Sequence, residues 1–219
     1  MKTAIVYDWL ISMGGGERTL AAIAEVIDAP IYTLVADRER LKETPFVKME
    51  IHTSFLQALP LAKDYYRYYL PLFTRAIESL GLCEYDCVVS VSHAVAKGVV
   101  TRPNQLHLCY CFTPMRYAWD LFGCYMQGLN PLKRLLAQSV LKRLREWDLA
   151  SCHRVDHFVA ISHYVKERIK RIYGREAEVI YPPVDTDKIW MEEKKEDFYY
   201  LPDDGQSGFS IFNPPCVSS

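Results

Sequence analysis

A short apolar run that ends in three consecutive glycines constrains this chain more than any other feature. Ala4, Ile5, Val6 and Tyr7 show no polar alternation, the pattern of a strand buried on both faces of a parallel sheet. Asp8 to Met13 then leads into Gly14, Gly15 and Gly16. Glu17 to Ile27 follows, with Leu20, Ile23, Ala24 and Ile27 spaced along one helical face. The order is strand, glycine loop, helix. Glycine lets backbone N–H groups approach a ligand without side-chain obstruction, and a helix N-terminus favours negative charge. Phosphate is therefore the natural guest of the loop Gly14, Gly15 and Gly16, with Arg18 as a nearby cation. GxGxxG is absent and no Walker lysine follows, so a tight strand-to-helix turn without a ligand stands beside that reading.

The same alternation of elements continues. Pro30 to Val35 reads as a second apolar strand, Asp37 to Glu43 as a charged loop or short helix, and Phe46 to Ile51 as a third strand. Asp86 to Val91, Leu106 to Cys111, Asp156 to Ile161 and Ala177 to Tyr181 are further strands. Strands separated by helical segments of this length predict right-handed βαβ units. The expected fold class is α/β, a single Rossmann-like domain with a mostly parallel sheet flanked by helices. Ser54 to Leu80 is a long helical tract that Pro60 and Pro71 must split or kink. Its Tyr65, Tyr66, Tyr68, Tyr69 and Phe73 lie among Lys63, Arg67 and Arg75, which suits either a segment resting on lipid headgroups or helices packing tyrosines on the domain body. Pro131 to Cys152 is the clearest helix, with Leu132, Leu135, Leu136, Val140, Leu144 and Trp147 on one side. Lys133, Arg134, Lys142, Arg143 and Arg145 make it basic, fit for an anionic membrane or for solvent. Ser162 is the expected N-cap of Tyr164 to Tyr173, and Gly174 its C-terminal stop.

Ligands of open α/β sheets bind outside the carboxyl ends of the strands. His93 stands at such an end, with Lys97 shortly after it. A second carboxyl-end loop, opened by Pro114, carries Arg116, Tyr117, Trp119 and Asp120, an aromatic face for a sugar ring and charge for hydroxyls or phosphate. The alternative is a loop whose aromatics merely pack, and a structural histidine.

Half of the 219 residues are hydrophobic, enough for a substantial core, and the formal net charge of −1 gives no global pointer to nucleic acid. The seven cysteines are odd in number and mostly inside apolar runs. With no secretory h-region at the N-terminus they read as reduced thiols of a cytoplasmic protein. Neither Cys109 with Cys111 nor Cys83 with Cys87 has CxxC spacing, so no metal site is expected. No apolar run reaches the roughly 18 residues of a spanning helix. Beyond Ile189 the composition turns charged and then rich in Pro, Gly and Ser, so residues 190–219 are expected to form an irregular tail after a domain at 1–189.

Five segments at strand-to-loop junctions, GGGER, SHAVAKGV, TPMRYAWD, AISHYVKERI and IYPPVDTDKI, together resemble the N-terminal half of a GT-B glycosyltransferase of the family 4 type. The resemblance covers Met1 to about Ile189. It implies retaining transfer of a hexose, often mannose, from a nucleotide-sugar such as GDP-mannose to a saccharide or lipid-linked acceptor, with no cofactor and no metal. It places the acceptor on this half and the donor on a second, C-terminal domain, with a separate subunit carrying that domain and peripheral contact at the inner membrane face as candidate partners. On this resemblance Gly14, Gly15, Gly16, Glu17 and Arg18 face phosphate or acceptor, and His93, Lys97, Arg116, Tyr117, Trp119 and Asp120 line the same opening. Two departures qualify it. Phe112 stands where the family usually has a histidine in an HTP triplet, and phenylalanine cannot hydrogen-bond a hydroxyl. The family's donor-binding half is not evident after Phe198, where the expectation is a truncated start, inactive alone. The other reading is a non-catalytic module that docks on a partner or a membrane.

Overall fold

The computed structural model describes residues 1–120 and 130–186, and its first compact unit runs from Met1 to Pro182. The expected tail at 190–219 lies outside the described residues. Seven strands form one all-parallel sheet: β1 Thr3–Tyr7, β2 Ile31–Thr33, β3 Ile51–Thr53, β4 Cys87–Ser92, β5 Leu106–Cys111, β6 His157–Ala160 and β7 Ala177–Val179. Their spatial order is β3-β2-β1-β4-β5-β6-β7. The order 3-2-1-4-5-6 within it is that of the doubly wound Rossmann sheet, so the α/β reading holds.

Register explains which residues face which layer. Ile5 pairs with Val89 and Tyr7 with Val91, and Val91 in turn pairs with Tyr110. This set faces helix α1, Gly15–Ile27, through Leu20, Ala21 and Ala24. Burial of Leu20 alone contributes about 2 kcal/mol. The alternate residues Ala4, Val6 and Val88 face the opposite layer. That layer holds α3, Phe73–Glu78, and α5, Pro131–Ser151, while Cys109, Cys111, Phe158 and Ala160 face α6, His163–Tyr173. β4 is buried along its whole length, its serines Ser90 and Ser92 included.

Several local expectations shift. Residues 45–48 form a 3-10 turn opened by Pro45, and the third strand begins only at Ile51. The tract from Ser54 breaks into short pieces, including α2, Ala62–Tyr65, and a 3-10 segment, Tyr66–Leu72, because each proline removes a backbone donor. Within it Tyr66 and Phe73 are buried, whereas Tyr65 and Tyr68 are exposed. On α5 the buried contacts come from Leu141 and Leu144, with Val140 and Trp147 beside them, and Leu135 faces solvent. The packed stripe lies partly around the helix from the expected one. The side chains of Leu132 and Leu136 lie outside the described residues. Ser162 caps α6 through a hydrogen bond from Val165 N–H, and Gly174 closes it at φ 65°, as its sequence indicates.

Candidate functional site

The sheet order creates a crevice at one place. β1 is flanked by β2 on one side and β4 on the other, so the loops leaving their carboxyl ends turn to opposite layers. The loop after β1 enters α1. The segment after β4 folds the other way, where Val95, Ala96 and Val99 pack with Leu141 and Leu144. Open parallel sheets take their ligands at such a switch point.

Asp8, the first residue beyond β1, organises this crevice. Its carboxylate is fully buried. Oδ2 accepts hydrogen bonds from the backbone N–H groups of His93 at 2.7 Å and Ala94 at 3.0 Å. Oδ1 accepts from Val95 at 2.6 Å and Ala96 at 2.7 Å. Successive N–H groups pointing at one place form an anion nest. Here a side chain from the neighbouring strand occupies it, so no external anion enters at residues 93–96. Nδ1 of His93 lies 3.1 Å from the same Oδ2, and the His93 side chain remains 28% exposed.

The glycine run divides its duties. Helix α1 starts at Gly15, so Gly15 and Gly16 are its first helical residues rather than a loop. Glu17 turns back to accept a hydrogen bond from Gly14 N–H at 2.9 Å and one from the Tyr7 hydroxyl at 2.9 Å. Burial, then Glu17 and Asp8, push the Tyr7 phenol far above its ordinary pKa, so it stays protonated and donates. A Cβ on Gly16 would stand 2.8 Å from the Tyr7 hydroxyl and 3.5 Å from the Phe112 ring, whereas Gly15 faces open space. The glycine at 16 is thus needed for close packing, and Gly15 and Arg18 are exposed at the rim.

Rings complete the wall. The Trp9 ring meets His93 edge-on at 4.6 Å between centroids, Tyr7 lies 5.8 Å from it and Phe112 6.4 Å. The fold therefore brings together Gly14, Gly15, Gly16, Glu17, Arg18, His93 and Phe112. Of the other residues expected to share this opening, Lys97 turns inward. It is 2% exposed, and its ammonium pairs with Asp148 Oδ1 at 2.7 Å and donates to the Asp148 carbonyl and Ser151 Oγ, each at 2.9 Å. Trp119, on the short helix α4, Arg116–Trp119, gives its indole N–H to the same Asp148 at 2.8 Å. Asp120 pairs with Arg168, and Tyr117 packs on the core. Arg116 is exposed. A helix in this loop, which the segment's aromatics did not announce, points these groups at α5 and α6.

Sequence reasoning passed over Asp8, Tyr7, Trp9 and Asp148. The available signal was position: an aspartate directly after an apolar strand is already at the sheet's carboxyl edge. Asp148 gave no such signal, since it lies on a helix among many charges.

A second buried histidine lies below this edge. His107 Nδ1 donates to the Arg154 carbonyl at 2.9 Å and Nε2 accepts from the Ser90 hydroxyl at 2.8 Å. Burial holds its pKa down at about 4, so the ring is neutral. The Cys111 thiol is raised by its hydrogen bond with Cys109 and by burial, which leaves no reactive thiolate there. Among the described residues no group of His, Cys, Asp and Glu side chains could hold a metal, and no helix is long and apolar enough to cross a membrane.

Comparison with known proteins bears on the C-terminal part of the described sheet. Residues 119–188 match the model of Glycosyltransferase Family 4. The match spans α5, β6, α6 and β7, and so includes AISHYVKERI and most of IYPPVDTDKI. It covers less than half of the chain and leaves the glycine run and His93 outside it. Within it the similarity supports a glycosyltransferase domain, and hence a sugar donor and an acceptor as substrates. No curated protein matches the chain.

Proposed function

We propose that this chain is the acceptor-side domain of a retaining hexosyltransferase. It takes a hexose, mannose in the first instance, from a nucleotide-sugar such as GDP-mannose and delivers it to a saccharide or lipid-linked acceptor. The observation that carries the reading is the crevice at the switch point. There the N-terminus of α1 and His93 meet between aromatic walls, in a sheet whose last two strands lie in the segment that matches the glycosyltransferase family. Aromatic faces suit a sugar ring, and helix-terminal N–H groups suit a phosphate on a lipid-linked acceptor.

The described residues of the crevice hold one exposed cation, Arg18, on the glycine side, which is little to stabilise charge on a departing nucleoside diphosphate. A donor-side domain is needed to supply that stabilisation, and we assign this chain little turnover without one. Exposed Leu61, Tyr65 and Tyr68, beside Lys63 and Arg67, support peripheral contact with a membrane face that presents the acceptor.

The test is transfer from a panel of radiolabelled nucleotide-hexoses to a lipid-phosphate acceptor, by the chain alone and with a donor-side domain added. Product only on addition is the expected result. Turnover by the chain alone would overturn the division of labour, and silence in both arms would overturn the transferase reading. A docking module is the second reading. Solvent-facing Lys142 and Arg143 on α5 favour it. It requires binding to anionic vesicles that weakens as salt rises.

A further inference from the structure

The segment between β3 and α3 carries an apolar surface that the core does not use. Leu61 stands at φ 53° and ψ 21°, a left-handed conformation that disfavours any side chain and that glycine would adopt freely, yet the residue is a leucine and is 68% exposed. Its carbonyl accepts from Tyr65 N–H at 2.8 Å, which sets Leu61 and Tyr65 on one side of the turn. Tyr65 and Tyr68 are 52% and 80% exposed, with their rings 6.0 Å apart. The Tyr69 hydroxyl donates to the Pro60 carbonyl at 2.8 Å and so fastens this turn to the 3-10 segment. Charge around the surface has one sign. From Ser54 to Ile77 the only carboxylate is Asp64, and Arg40 pairs with it at 2.7 Å. Lys63, Arg67 and Arg75 form no ion pair among the described residues.

We infer that residues 61–68 seat the protein on a bilayer surface of anionic headgroups, and that the acceptor is therefore lipid-linked rather than a soluble saccharide. Leu61 and Tyr68 enter the headgroup layer, where a tyrosine keeps its ring in apolar surroundings and its hydroxyl wet, and the three cations meet the charge of the lipid. The seat adjoins the crevice. Tyr66, in the same segment, is buried and packs its ring 5.0 Å from Trp9, which meets His93 at 4.6 Å on the crevice side. One ring layer thus separates the seated segment from His93, so the headgroup of an acceptor anchored in the same bilayer is presented beside the crevice. The seat itself stands on exposure and charge, whereas the delivery of an acceptor through it rests on the glycosyl-transfer reading.

Co-sedimentation of the full chain with phosphatidylcholine vesicles, with and without phosphatidylglycerol, tests the seat. The expected result is binding that requires phosphatidylglycerol. Leu61→Ser combined with Tyr68→Ser changes only exposed side chains, and its urea midpoint verifies that it folds. It should weaken binding by about tenfold, as withdrawing a leucine from the interface implies. Lys63→Gln with Arg75→Gln should flatten the salt dependence, and Lys142→Gln with Arg143→Gln on α5 should bind like the unmodified chain. Failure of the unmodified chain to bind would overturn the inference, as would loss of binding in the α5 variant with none in the Leu61 and Tyr68 variant. A dimer in sedimentation velocity that the Leu61 and Tyr68 variant dissolves would also overturn it, by giving this face to a second copy. Binding through residues 61–68 together with a silent transfer assay upholds the seat and overturns the glycosyl-transfer reading, so the two fail separately.

Discussion

Acid should destabilise this fold through His107, and by an amount the structure sets. The ring is fully buried between Ser90 and the Arg154 carbonyl. Desolvation lowers its pKa from 6.5 to about 4, against the hydrogen bond to the Arg154 carbonyl and the Asp156 charge, which favour protonation, and with the Lys97 and Arg154 charges opposing it. In the unfolded chain the imidazole returns to its ordinary value. Between those two values the unfolded state binds more protons than the native one, so stability falls as pH falls. The contribution is fully present above the unfolded pKa and is lost progressively toward the folded one. Integration gives a loss of about 2 kcal/mol between pH 7 and pH 5, rising to about 3 kcal/mol by pH 4. The assay is urea denaturation of the chain and of His107→Asn at pH 7, 6 and 5. Other groups titrate in both proteins and cancel in the difference. His107→Asn should be the less stable protein at pH 7, yet the gap should close by about 2 kcal/mol at pH 5. Parallel pH profiles would refute the reasoning, because they would mean that His107 is charged, or free to charge, inside the fold.

Three further outcomes follow from the packing of the site. Gly16→Ala places a methyl group 2.8 Å from the Tyr7 hydroxyl and should cost about 1–3 kcal/mol in urea melts, while Gly15→Ala, which meets nothing, should be neutral or stabilise by up to about 1 kcal/mol. Equal behaviour of the two would mean that Tyr7 yields freely. Lys97→Met leaves the buried Asp148 carboxylate without its cation, held only by hydrogen bonds from Trp119 and Tyr173, and should cost about 3–5 kcal/mol, and a silent variant would contradict the buried pair. Gly98→Ala forces a methyl group into the Trp147 ring, whose indole N–H donates to Glu78 at 2.8 Å. The displaced indole should show as a shifted tryptophan emission spectrum, and an unchanged spectrum would show that the ring was never confined.

What local pattern can encode was legible in the residues themselves. The apolar run Ala4–Tyr7 declared β1, because a strand buried on both faces tolerates no alternation, and β4 and β5 showed as mainly apolar runs interrupted by Ser90 and His107. Ser162 and Gly174 marked the ends of α6 because caps act within one turn. His93 and the glycine run were legible as carboxyl-edge residues once a parallel sheet was expected, since that rule needs only strand direction. The third strand was misplaced because Pro45 opened a 3-10 turn where an apolar run was read as extended backbone.

The partners of these residues had to wait for tertiary structure. Asp8 meets the backbone of residues 93–96 only because β1 and β4 lie side by side, 85 positions apart at the Asp8–His93 contact. Lys97 and His93 are close in sequence and look like companions, yet the 3-10 turn Ala96–Gly98 sends Lys97 under the sheet to Asp148 while His93 stays at the crevice. Trp119 and Asp120 were read as a sugar platform because a sequence shows side-chain chemistry and not direction. The packing of α4 on α5, together with the Asp120–Arg168 pair, decided that direction. By itself the sequence determined that a parallel sheet would present these residue types at its carboxyl edge. The order of the strands, which no local periodicity encodes, decided which of them face the crevice and which hold the core.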